Sequence, residues 1–76
     1  MKDDIRQVDP VTARLGQFLG TFPLTEDGYT EMMNFAIETK KAAKRNKIRG
    51  EVVWTKMNRW GHGRGNDVYQ VYFLRK

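Results

Sequence analysis

The chain has 76 residues with 14 Lys and Arg, 9 Asp and Glu, one His and no Cys, which allows one small domain that buries only ~60% of the surface its unfolded form exposes. Disulfide staples and thiolate metal sites are excluded, and His62 alone builds no histidine metal site. No apolar run approaches the roughly 18 residues of a membrane span, and residues 1–6 lack the apolar core of a signal peptide. The expectation is therefore a cytoplasmic chain with no membrane partner, which the lack of Cys also fits.

Charge is divided along the chain. Residues 1–39 carry 3 cations against 7 carboxylates, a balance of −4, and residues 40–76 carry 11 against 2, a balance of +9. Basic surfaces suit anionic partners, either nucleic acid or an acidic protein face.

Residues 1–8 alternate weakly around Ile5 and Val8, which suits a short edge strand or a flexible arm, and an irregular arm is expected ahead of one domain over 9–76. Asp9-Pro10 is a helix start: Asp accepts bonds from free first-turn amides, and Pro suits the first helical position. Val11, Leu15, Phe18 and Leu19 follow an i, i+4, i+7, i+8 spacing. This predicts a first helix over about 10–20, stopped by Gly20 and Pro23. Phe22-Pro23-Leu24 reads as an apolar connection, with Thr25 or Asp27 as the next cap.

A second helix is predicted over about 26–46. Tyr29, Met32, Met33, Ala36 and Ala43 share one side, and Lys40, Lys44 and Lys47 continue that side as cations at the helix C-terminus, where the macrodipole favours them. After Gly50, residues 51–59 and 67–74 read as two strands of an antiparallel β-hairpin. The register that sets Trp60 opposite Asp67 pairs Trp54 with Phe73. Trp54, Val71 and Phe73 are then expected in the core, with Tyr72 and Leu74 outward. Apolar groups on both faces call for a third strand, a dimer interface or a stacking surface.

The predicted fold class is α+β, two N-terminal helices packed on a C-terminal antiparallel β-hairpin in the order α-α-β-β. That order permits a winged-helix-like architecture, although a winged helix-turn-helix ordinarily has three helices and no family motif is present here.

Two basic elements carry the functional reading. The first is Lys40, Lys41, Lys44, Arg45, Lys47 and Arg49, placed to hold phosphates with a salt-dependent affinity; the bland alternative is a solvated helix end. The second is the Gly-rich loop with Arg59, Trp60, His62 and Arg64, shaped in general terms like a wing or an RNA-contacting β-loop; the bland alternative is an ordinary long loop. Trp60 beside these cations could stack a base. The Gly61-x-Gly63-x-Gly65 spacing lies between strands, whereas dinucleotide and P-loop glycines join a strand to a helix. His62 has only Asp67 nearby to orient it, so no catalytic role is assigned.

The sequence thus points to a non-enzymatic, regulatory DNA- or RNA-binding protein without cofactors or metal. The alternative is a small protein-binding module, of the kind found among phage accessory proteins, that modulates a larger nucleic-acid-handling enzyme through its basic surface. In that case Tyr72 and Phe35 would be outward anchors. A homodimer through hairpin edges is a third expectation.

Overall fold

A computed structural model describes residues 5–58 and 67–75. It replaces the expected pair of helices on a hairpin with one long helix on a mixed four-stranded sheet. The elements are β1 (Arg6–Gln7), α1 (Pro10–Ala13), β2 (Gln17–Pro23), α2 (Glu26–Arg45), β3 (Gly50–Asn58) and β4 (Asp67–Arg75). The sheet order is β1-β3-β4-β2. β4 runs antiparallel to both its neighbours, and β1 lies parallel to β3.

The first predicted helix is corrected to a single turn followed by a strand. Its start is as the local chemistry requires: Asp9 caps α1, its carboxylate accepting the Thr12 hydroxyl at 2.6 Å and the Thr12 amide at 3.3 Å. The turn then tightens, with Leu15 N–H bonding Thr12 O and Gly16 N–H bonding Ala13 O. Gly16 lies so close to β4 that a Cβ there would sit 2.4 Å from the Phe73 carbonyl oxygen. The chain thereby enters the sheet as β2.

The helix-like spacing has a physical source. β2 carries a bulge between Phe18 and Gly20, and the extra residue lets Leu19 and Phe22, three apart, both join the helix-side core. Phe18 faces the other way, edge-on to Tyr72 at 5.5 Å, while Val11 and Leu15 are 72% and 82% exposed. The apparent apolar stripe is therefore divided between two sheet faces and solvent.

β3 and β4 alternate between two cores. Val52, Trp54, Val71 and Phe73 meet Met32 and Ala36 of α2, together with Ile5. Val53 and Tyr72 meet Val8 and Ala13 on the opposite face. The expected outward placement of Tyr72 is corrected, since it is only 8% exposed beneath α1, with its hydroxyl donating to Gln70 at 3.1 Å. Leu74 is likewise packed against that second core. The third strand called for by two apolar faces exists, but it comes from 17–23.

The pairing register is Trp54 opposite Val71 and Lys56 opposite Tyr69. It differs by two residues from the expected one, so the faces are kept. Residues 59–66, which connect β3 to β4, lie outside the described residues. β4 has neighbours on both sides and β1 covers the other edge of β3 at Val53 and Trp54, so edge-to-edge association of the β3–β4 pair is restricted to the part of β3 beyond Trp54.

Asp9 also sets an acid limit. Hydrogen bonds from the Thr12 hydroxyl and then its amide hold the carboxyl below its usual range. A depressed folded pKa stabilises fully above the unfolded value of about 3.9 and is lost as pH falls through the lower folded value. Asp9→Asn, an equally good cap, should leave the melting temperature at pH 7 nearly unchanged and reduce its fall between pH 4 and pH 2.

Candidate nucleic-acid interface

The cationic stretch 40–50 is shaped by how α2 ends. Lys47 N–H bonds Lys44 O at 3.1 Å and Ile48 N–H bonds Ala43 O at 2.9 Å, the paired bonds of a Schellman cap. The Asn46 amide donates to Ala42 O at 2.9 Å. The cap needs one residue in the left-handed region, ordinarily Gly, and here it is Lys47 at φ 58. An L-residue there costs roughly 1–2 kcal/mol. Lys47→Gly should therefore stabilise the fold by roughly 1 kcal/mol and raise the melting temperature by a few degrees. A lysine kept where glycine is less strained is a reason to look for a role of its charge.

Lys44 and Arg45 occupy the last turn of α2, where the helix dipole favours cations. Lys40 and Lys44 lie on the flank over β3, lining with Arg49 a cleft of about 500 Å³ floored by Ala43, Val52 and Phe73. Lys41 and Arg45, about 100° further round the helix, are exposed, as are Lys47 and Arg49.

The pairing of Gly50 with Arg75 adds a seventh cation that sequence reasoning missed. Arg75 is exposed and lines a second cleft of about 220 Å³ with Leu19, Ala42 and Phe73. Its signal was available, because two strands of equal length return their last residue to the helix end. Glu51 is the nearby carboxylate, and it is engaged by Arg6 through two bonds of 2.9 Å. That pairing raises the Arg6 pKa, the hydrogen bond to Glu51 being the larger cause.

Arg59, Trp60, His62 and Arg64 lie outside the described residues. Their attachment points are described: Asn58 and Asp67 pair at the opposite end of nine-residue strands from Gly50 and Arg75. Eight steps of strand separate the two ends by about 26 Å. The strand ends from which the second basic element departs are therefore at the far end of the β3–β4 pair from the cations around Gly50.

Most of the described aromatic residues make ring contacts within the fold, while Phe18, Tyr29 and Phe35 remain 51%, 39% and 36% exposed. Tyr29, Trp54 and Tyr69 form a mutual edge-to-face triangle with centroids 5.5–5.7 Å apart, and the Trp54 indole donates to Ile5 O at 3.1 Å. Phe35 leans on Phe22 at 5.4 Å. Neither Trp54 nor Tyr72 is available to stack a base. Among the described residues no group of His, Cys, Asp and Glu could hold a metal ion, and no helix is long and apolar enough to cross a membrane.

Comparison with protein-family models, with curated proteins and with solved structures gives no match to this chain.

Proposed function

We propose that this chain is a small, non-enzymatic nucleic-acid-binding protein with a regulatory role, and that it binds through the C-terminal end of α2. The observation that carries this reading is the gathering of Lys40, Lys41, Lys44, Arg45, Lys47, Arg49 and Arg75 at one end of the sheet. Chain segments 26 residues apart supply these charges, and a strained backbone position holds one of them.

The chemistry favours the phosphate backbone over the bases. Lysines at a helix end are point charges that match phosphates without reading sequence. Stacking platforms require exposed rings, and the named aromatics nearest this end, Phe73 and Trp54, are buried. Duplex DNA or RNA of any sequence is the ligand this surface suits.

Titration of a random-sequence duplex with the protein between 50 and 200 mM salt tests the reading. With five to seven phosphate contacts, log K should fall against log salt with a slope of about −4 to −6. A flat response, or no binding at the lowest salt, removes the proposal.

A further inference from the structure

The basic end of the molecule also contains an apolar groove that phosphate binding does not explain. The two clefts beside the end of α2 share Ala43, Ile48 and Phe73, so they lie next to each other on the two flanks of the helix end, one over β3 and one over β2. Phe73 lines both, and Ile48, 46% exposed, stands where they adjoin; the larger, over β3, is this groove. In a helix cap of this kind the residue after the left-handed one usually packs back on the last turn. Here it meets Ala43, whose methyl is too small to cover it. Cations stand beside both clefts: Lys44 and Arg49 over β3, Arg75 over β2. The carboxylate within the groove, Glu51, faces the bidentate guanidinium of Arg6, which offsets its charge.

We propose that this groove docks an extended, acidic peptide segment of a partner protein. An apolar side chain of that segment seats against Ala43, Ile48 and Phe73, and flanking carboxylates meet Lys44, Arg49 and Arg75. A volume of about 500 Å³ falls within the range of pockets that accept one large side chain or a small ligand. Charge complementarity sets the sign of the partner. The apolar floor sets the second requirement, because a phosphodiester chain has no group that gains by covering it. Extended segments bound in this way take affinity from an apolar anchor and register from the surrounding charges. The inference stands independently of nucleic-acid binding; since both ligands need the same cations, they compete.

The test is a selection of displayed random 12-residue peptides on the full chain, counter-selected on Lys44→Glu/Arg49→Glu. Both positions are exposed, so the variant keeps its fold, which its melting curve checks. Enriched peptides are expected to carry two or more Asp or Glu beside a Leu, Ile, Phe or Met. For the best of them, measured as a free synthetic peptide by fluorescence anisotropy, three changes should each weaken binding at least tenfold: the double charge reversal, Ile48→Ser, and replacement of the peptide's own apolar residue by Ser. The last needs no change in the protein. Excess duplex DNA should displace the peptide.

The proposal is overturned if no peptide is enriched. It is equally overturned if the Ser-substituted peptide binds as well as its parent, which would leave only charge attraction. Because duplex affinity is measured on the same samples, loss of the peptide result with duplex binding intact overturns this inference alone.

Discussion

Reversing two charges in Lys44→Glu/Arg45→Glu lowers affinity for duplex DNA by on the order of 10²-fold at 0.1 M salt and reduces the salt slope by about 2. The size follows from counterion release: each phosphate contact contributes about 0.9 to the slope, so at 0.1 M one contact is worth nearly a decade. Both side chains are exposed in the last turn of α2, and neither belongs to a core cluster. Removing helix-end cations costs only about 0.3–1 kcal/mol each through the dipole, so the fold survives. Lys56→Glu is the matched control. Lys56 is exposed on β3, opposite Tyr69 and near the N-terminal end of α2. It changes net charge by the same amount per residue, yet should cost less than about threefold if the site lies where the cations converge. Equal losses from the two ends would show that binding follows overall charge and would defeat the site assignment.

The largest expected effect on stability comes from adding one methyl group. Gly28 lies in the first turn of α2, its amide donating to the Thr25 hydroxyl at 2.9 Å. A Cβ there would stand 1.9 Å from the Pro23 carbonyl oxygen and 2.8 Å from its carbon. These are backbone atoms of the preceding strand, so no side chain can swing aside. Helix propensity favours Ala over Gly by about 1 kcal/mol, and that gain is outweighed because β2 and α2 must separate where they join. Gly28→Ala should destabilise by about 1–3 kcal/mol. At 4–8 °C per kcal/mol for a domain of this size, the melting temperature drops by roughly 5–20 °C. A rise in melting temperature would mean that the chain reaches α2 by another path. The same contact explains why a glycine stands in the first turn of α2.

Particular residues show where sequence reasoning holds and where it fails. Thr25, the acidic first turn, the buried Met32 and Ala36 and the cationic last turn all belong to one continuous helix, and helices are written locally. Within β3 and β4 the assignment of Trp54, Val71 and Phe73 to the helix side survives a register error of two residues, because face identity repeats with that period. Residues 17–23 fail for the converse reason. Their two sides are set by β4, nearly fifty residues away, and a bulge converts a period of two into a spacing that imitates a helix turn. With the first helix replaced by a strand, the winged-helix-like order of elements also falls. The outward expectation for Tyr72 fails because nothing in its own strand signals that α1 folds across the far face.

The candidate site divides in the same way. Lys40, Lys41, Lys44, Arg45, Lys47 and Arg49 are legible as a run, since a helix end gathers its own neighbours. Arg75 enters only through strand pairing. The adjoining clefts over Phe73 require α2, β2, β3 and β4 together, and no short segment encodes them.

By itself the sequence determined what depends on neighbours within a few residues: a capped amphipathic helix, two strands of alternating side chains, and a cluster of cations where the helix ends. The tertiary structure alone decided the strand at residues 17–23, the covering of both sheet faces, the joining of Arg75 to the cations at the helix end, and the apolar lining beside them. These depend on pairing and burial between distant segments. Such contacts yield free energy only once the intervening chain has been ordered, so their partners cannot be read from local pattern.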